Sequence, residues 1–167
     1  MRKKGFTIIE LVIVMVAVGI LSVMSVVVIG KAIRQIQLGS ATDKMASDFR
    51  YAQTMASSTG KWYGVSVEAN PLNIYTIYTT TGTKDTLADN PAKFGSNFIV
   101  NVNTNYGVLI SGVNIAGGKK VEFSPLGTPY TDRYGTALTA EGTITLNKES
   151  LSKTIHISPD TGRVYIQ

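Results

Sequence analysis

Lys4-Gly5-Phe6-Thr7-Ile8-Ile9-Glu10-Leu11 sets a single carboxylate, Glu10, at the mouth of a long apolar run. The next 19 residues, 11 to 29, are uncharged and dominated by Val, Ile, Leu and Met, with Ser22 and Ser25 as the only polar side chains. As a helix rising about 1.5 Å per residue, such a run spans about 28 Å, close to the hydrocarbon thickness of a bilayer. The serines are tolerable there because a hydroxyl can bond back to its own helix's carbonyls. Arg2, Lys3 and Lys4 form a basic flank before the run.

Three readings of this segment compete. A secretory signal needs a short apolar stretch and a small-x-small cut site. Ala17-Val18-Gly19 offers one, but the apolar run continues well past it. A plain signal anchor accounts for the length and the basic flank but not for Glu10. A carboxylate at a helix centre in hydrocarbon costs up to about 2.5–3.5 kcal/mol, and less near an end. A residue that costly calls for a partner.

The same residues carry the third reading. Lys4 to Leu11 resembles the cleavage and methylation motif of type IV pilins and type II secretion pseudopilins: a basic leader, a glycine, a bulky apolar residue, a glutamate, then an apolar run. The resemblance implies that Gly5 ends a leader recognised by a prepilin peptidase and that Phe6 becomes the N-methylated new N-terminus. It also implies that Glu10 pairs with the Phe6 amine of a neighbouring subunit. Physics agrees with that pairing. A new amine buried among like helices is offset by a carboxylate one turn later, where the helix N-terminus also favours negative charge. A pairing that links one copy to the next builds an open helical array.

Beyond Gly30, Lys31 and Arg34 mark an interface, and apolar positions recur at Ile33, Ile36, Ala41, Met45, Phe49, Ala52 and Ala56. Intervals of mostly three and four describe one face of an amphipathic helix, with Asp43, Lys44, Asp48 and Arg50 mostly on the other. No proline interrupts residues 6 to 58, and Gly60 is the expected stop. Many pilins have a proline in the apolar run; Val27 stands near that place here, between Gly19 and Gly30, so no proline-driven kink is expected.

From Lys61 the period changes to alternation. Trp62-Tyr63-Gly64-Val65-Ser66-Val67, Ile74-Tyr75-Thr76-Ile77-Tyr78 and Phe98-Ile99-Val100-Asn101-Val102 read as strands. So do shorter runs at 108–110, 121–123, 143–146, 154–157 and 164–166. Turn clusters separate them at Asn70-Pro71, Thr81-Gly82, Gly117-Gly118, Ser124-Pro125-Leu126-Gly127 and Pro159-Asp160-Thr161-Gly162. The expected fold is α+β: a long N-terminal helix, transmembrane in its first half, packed against an antiparallel β-sandwich-like head. The expected divisions are a leader at 1–5, a transmembrane and assembly helix at 6–30, an amphipathic continuation at 31–60 and a β-rich periplasmic head at 61–167. Phe49-Arg50-Tyr51-Ala52-Gln53-Thr54-Met55-Ala56, Val121-Glu122-Phe123-Ser124-Pro125-Leu126-Gly127 and Thr161-Gly162-Arg163-Val164 are similar to the minor pseudopilins that include type II secretion protein H and the minor pilin FimT (GspH/FimT).

Composition bounds the chemistry. The chain has no cysteine, which excludes disulfides, thiol nucleophiles and thiolate metal sites. His156 is the single histidine, and its alternation with Ile155 and Ile157 points it outward. A zinc site, a Ser-His-Asp triad and a calcium loop all lack the residues or the spacing, so no cofactor, metal or catalytic role is expected. Gly117-Gly118-Lys119-Lys120 lacks P-loop spacing and reads as a charged hairpin tip. Without the leader cations, 13 basic residues face 11 acidic ones, and from Lys61 onward 9 face 8. That near-neutral head argues against nucleic acid, although Tyr63, Tyr75, Tyr78, Tyr106, Tyr130, Tyr134 and Tyr165 with Lys119, Lys120, Arg133 and Arg163 keep single-strand stacking open. The resemblance implies a non-enzymatic minor pseudopilin of a type II secretion-like filament, single-pass in the bacterial inner membrane. Its implied partners are other pseudopilins or pilins, the prepilin peptidase and an inner-membrane assembly platform. A FimT-like minor pilin with a DNA-binding role is the alternative.

Overall fold

The structure is a computed structural model of the 167-residue chain, and it describes Gly5, residues 7–93 and residues 95–167, without the side chains of residues 23–28. The chain divides into two compact units, Met1–Ile36 and Gln37–Gln167. The first helix, α1 (Ile8–Thr59), contributes to both.

In the first unit the described side chains of α1 are exposed or half-buried, among them Ile8, Leu11, Val14, Met15, Ile20 and Ile29. Among the described residues no helix has a stretch long and apolar enough to cross a membrane. Residues 23–28 of the expected span fall outside that description. Ser22 donates its hydroxyl to the Val18 carbonyl at 2.7 Å, the local bond that lets serine sit in an apolar helix. Ile33 and Ile36, assigned from spacing to a packed face, are 49% and 67% exposed in this unit.

In the second unit α1 buries Leu38, Ala41, Met45, Phe49, Ala52 and Ala56, a stripe with intervals of three and four. The chain then leaves the helix at Gly60, whose φ of 67° few side chains adopt and whose N–H closes the last turn on the Ala56 carbonyl. Among the described residues ten strands follow: β1 (Trp62–Glu68), β2 (Ile74–Thr80), β3 (Asp85–Leu87), β4 (Ile99–Asn101), β5 (Leu109–Asn114), β6 (Lys120–Phe123), β7 (Pro129–Tyr130), β8 (Gly142–Lys148), β9 (Leu151–Ile157) and β10 (Val164–Ile166). A short helix, α2 (Val102–Tyr106), sits between β4 and β5. The strands form two antiparallel sheets. One has the order β3-β2-β1-β6-β7 with β4 also paired to β2, and the other has the order β10-β9-β8-β5.

Register explains the core. Val65 lies opposite Ile77 on one side and Val121 on the other, and Tyr63 lies opposite Phe123, so one face of the first sheet is continuously apolar. In the second sheet Ile144 lies opposite Ile155 and Gly142 opposite Ile157. These residues and the α1 stripe form one buried cluster. Each fully buried Val, Leu, Ile or Phe stabilises by roughly 1.5–3 kcal/mol. The α+β expectation of a long helix on antiparallel sheets therefore holds.

Polar groups tie the stripe to the sheets. Asp48, assigned from its spacing to the solvent face, is instead 6% exposed. The Tyr75 hydroxyl donates to its Oδ2 at 2.5 Å and Lys44 pairs with it from one turn earlier, so the buried charge is partnered. Burial, then the neighbouring Asp48 charge, pushes the Tyr75 hydroxyl far above the usual tyrosine range. Arg50 donates to the Val164 carbonyl at 2.8 and 3.1 Å, and Gln53 Nε2 donates to both the Gly127 and Thr161 carbonyls at 2.8 Å. The two glycine turns that were separate segments in the sequence thus meet on one helix side chain. Gly162 has a φ of 64°, and a Cβ there would stand 2.7 Å from Gln53 Nε2 and from the Gly127 carbonyl oxygen.

A second polar centre lies on the other face of the first sheet. Gly64 leaves room for the Tyr78 ring, whose hydroxyl donates to buried Glu122 at 2.9 Å. Glu122 also accepts from the Arg133 backbone N–H at 2.7 Å and from Lys120 Nζ at 3.2 Å. Lys120 reaches Asp132 at 2.6 Å, which fastens the loop of residues 131–137 to the sheet. The Lys120 bond, followed by the Tyr134 N–H, holds the Asp132 carboxyl below the usual carboxylate range.

Two outcomes follow for the head. Gly162→Ala combines left-handed backbone strain with a clash against a carbonyl, and should cost at least about 2 kcal/mol in thermal unfolding. A depressed carboxylate contributes stability above its unfolded value of about 3.9, which is lost as pH falls through the lower folded value. Wild type should therefore lose more stability than Asp132→Asn between neutral pH and pH 2, as read in paired acid titrations of the Trp62 emission. Identical acid limbs would remove Asp132 from the account.

Candidate assembly site

Glu10 is the residue on which the assembly reading rests, and the structure gives it a local partner. The Thr7 backbone N–H and hydroxyl both donate to Glu10 Oε2 at 2.9 Å. The Glu10 N–H approaches Thr7 Oγ1 at 3.4 Å, while the Leu11 N–H bonds the Thr7 carbonyl at 3.3 Å. Thr7 is the N-cap and Glu10 the third helical residue. Each satisfies an N–H of the other, a reciprocal capping box.

This arrangement fixes the carboxylate at the start of α1, where four backbone N–H groups lack intrahelical partners. Only Oε2 is taken up by Thr7 in these contacts. Around the cap, Ile8 is 84% and Ile9 68% exposed, and Leu11, Val12 and Ile13 all exceed half exposure. The first unit therefore presents an anionic group, already oriented, on an apolar helix surface.

Of the other residues singled out in the sequence, Arg2, Lys3, Lys4 and Phe6 lie outside the described residues, and Gly5 is exposed with no atom near its missing Cβ. Thr7 was missed as a functional residue, although Thr-x-x-Glu before an apolar run is a readable helix-start signature. In the second unit, His156 is stacked on Tyr165 at 5.0 Å, and its Nδ1 lies 2.8 Å from Glu141 Oε2. Its side chain is 14% exposed, so it is less open to solvent than alternation alone implies. Tyr165 also donates to Glu141; that bond, then His156, holds the carboxyl below its usual range. Lys119 and Lys120 point to carboxylates rather than to an anion site: Lys119 to Glu68 at 3.1 Å, Lys120 to Glu122 and Asp132. Among the described residues no group of three or more His, Asp or Glu side chains could hold a metal ion.

The prokaryotic N-terminal methylation motif matches residues 1–26, the segment that contains Gly5, Thr7 and Glu10. The fold is similar to the type IV minor pilin FimU of Pseudomonas aeruginosa in two crystal forms. One match has a TM-score of 0.51 over 78% of this chain and 92% of that one, the other 0.53 over 80% and 90%. The fold is type IV pilin-like. Identity to both FimU chains is 14%, so the likeness of this pilin-like chain to them is one of fold. No curated protein matches the chain.

In the pilin-like chain the capping box has a direct test. Thr7→Val deletes the hydroxyl that donates to Glu10 Oε2 and accepts from the Glu10 N–H, leaves the Thr7 N–H bond in place, and should weaken the helix start by about 1 kcal/mol. Amide exchange over residues 8–11 of the full chain in detergent micelles should quicken several-fold, while the thermal unfolding of the head stays unchanged.

Proposed function

We propose that this chain is a minor pseudopilin, a structural subunit of a type II secretion-like periplasmic filament, processed and N-methylated by a prepilin peptidase. In this reading residues 1–5 are the leader, residues 6–30 anchor the subunit singly in the bacterial inner membrane, and the β-rich head stands in the periplasm. The observation that carries it is the oriented Glu10 carboxylate on an exposed apolar helix surface, five residues after the leader glycine. Such a surface is stable only in lipid or against like helices. Extraction from the membrane into a filament exchanges one for the other without exposing it to water.

Glu10 then acts between subunits. With Thr7 holding Oε2, the remaining oxygen meets the Phe6 amine of a neighbour, which pairs two charges that would each be costly alone in an apolar bundle. Other pseudopilins, the peptidase and an inner-membrane assembly platform are the partners this requires. No catalytic role or cofactor enters the proposal.

A minor pilin of a type IV pilus is the second reading, favoured by the likeness to FimU. Its DNA-binding form, FimT-like, has less support. The second unit has 11 basic and 10 acidic residues, and several of its lysines are already paired.

Intact mass and N-terminal sequencing of the membrane-extracted chain, with and without prepilin peptidase, test the proposal. The expected product begins at methylated Phe6. Glu10→Ala should still be cleaved yet fall by at least about tenfold in filament incorporation, since an unpaired amine in an apolar bundle is disfavoured by more than about 1.4 kcal/mol. A chain that retains Met1 in the presence of active peptidase would refute the filament reading.

A further inference from the structure

The head has an open groove of about 540 Å³ at the end of the first sheet, where the chain leaves α1. Lys61, Trp62, Lys84 and Arg133 line it, together with the hydroxyl-bearing Thr81 and Thr86. No carboxylate lines it among the described residues. Residues from four separate stretches of sequence converge here, which is why no linear motif announced the site.

Three unpaired cations of the head meet in this groove; Lys93, Lys153 and Arg163 also form no ion pair among the described residues, but none of them lines it. Lys44, Lys119 and Lys120 each pair with a carboxylate, and Lys148 is spent on the Tyr106 and Gly107 carbonyls. Lys61 and Lys84 are exposed and form no ion pair among the described residues. Arg133 is held in place without being neutralised. Its Nη1 donates to the Thr80 carbonyl at 3.1 Å, and its guanidinium lies 5.8 Å from the Trp62 ring and 5.9 Å from the Tyr134 ring. Tyr134 is itself anchored by a hydroxyl bond to the Thr81 carbonyl at 3.1 Å. A guanidinium held by a carbonyl bond and two aromatic neighbours, with N–H groups left over, is preorganised for a planar anion such as a carboxylate.

We infer that this groove binds an acidic peptide segment of a protein partner, with carboxylates on Arg133, Lys84 and Lys61 and an apolar side chain against the neighbouring turn. That turn supplies the apolar contact: Pro125 lines the groove, and Leu126 beside it is 91% exposed. Its conformation is set by the Gly127 N–H on the Ser124 carbonyl at 2.8 Å and by the Leu126 N–H on Ser124 Oγ at 3.3 Å. A fixed Trp and Arg beside an exposed leucine is the composition of an interface centre.

A nucleic-acid strand fits less well. It needs a continuous cationic track, whereas three unpaired cations cluster in one short groove, and Lys119 and Lys120, farther along the sheet, are neutralised. The inference deepens the filament-subunit reading by naming how its head would recognise another protein, yet its test does not depend on processing.

Trp62 is the single tryptophan of the chain, so emission excited at the red edge, beyond tyrosine absorption, comes from the wall of this groove in the folded protein. The full chain in neutral detergent micelles is titrated with a capped hexaglutamate peptide, its hexaglutamine counterpart and a twelve-residue oligothymidylate. Hexaglutamate should shift the Trp62 emission saturably, hexaglutamine should not, and added salt should weaken the response. Lys84→Gln, at an exposed site without a structural bond, should weaken hexaglutamate binding about tenfold, as should Arg133→Gln; Arg133→Lys should recover only part. No saturable response to hexaglutamate overturns the inference, as does an unchanged affinity in Lys84→Gln. Tighter binding of oligothymidylate than of hexaglutamate overturns it in favour of nucleic acid. Peptidase cleavage scored on the same preparation separates the two proposals: a cleaved chain that ignores the peptide loses the groove alone, and an uncleaved chain that binds it loses the filament alone.

Discussion

Burial of one helical stripe is the constraint on which the head depends. Leu38, Ala41, Met45, Phe49, Ala52 and Ala56, with Ala46 beside them, carry α1 into a core otherwise made of two separate sheets. Three of the six are alanines, so the helix backbone approaches the strands closely, and the larger Met45 and Phe49 fill the space between. Strands as short as β4, β6 and β10 would be marginal as isolated hairpins. The stripe gives them a common apolar surface, and the amide of Gln53 and the guanidinium of Arg50 then fix the ends of two turns and one strand to the same helix. Apolar burial supplies most of the stabilisation and the hydrogen bonds set the register, since each net bond contributes only about 1 kcal/mol.

The first unit obeys the opposite rule. Its helix face is apolar and exposed, and the one charged group at its start is not left to water alone but is tied to Thr7. A free glutamate side chain would sample several rotamers, and its entropy would have to be lost on pairing. The capping box removes that freedom in advance. A neighbour's amine would then meet a carboxylate already held at the helix N-terminus, with one oxygen unengaged by Thr7.

Much of the fold was legible because alternation and helical spacing are strong where elements are long. β1 and β2 are legible from alternation over most of their length, β8 and β9 over four residues each, and the α1 stripe follows from intervals between Ala41 and Ala56. What escaped was short or context-dependent. Asp85-Thr86-Leu87 and Pro129-Tyr130 are too brief to carry a period, and their pairing is imposed by β2 and β6. The β8–β9 hairpin turns through Glu149-Ser150, with Glu149 at a φ of 53° and no glycine to announce it. Val102 continues an apolar alternation in the sequence, yet Asn101 caps α2 there by accepting the Thr104 N–H. Asp48 reads as solvated from its spacing and is buried because Tyr75, distant in sequence, supplies its partner. The two candidate sites divide the same way: the glycine and glutamate motif is local and readable, whereas the groove cations Arg133, Lys84 and Lys61 meet only after folding.

The charge pattern of the head has a physical consequence beyond its near-zero sum. Net charge governs long-range attraction, but at physiological ionic strength that attraction fades over about 8 Å. Within that range, what matters is whether each cation already has an anion beside it. Lys119 and Lys120 do, and their carboxylates hold the strands and the 131–137 loop in place. Lys61, Lys84 and Arg133 lie where the carboxylates are not. A head with this distribution would not gather polyanions from a distance, yet it would hold a carboxylate delivered to the groove by a protein already alongside. Subunits confined to one membrane, or stacked in one filament, meet that condition without electrostatic steering. A near-neutral surface with a groove of clustered, uncompensated cations therefore suits recognition between neighbours better than capture from solution.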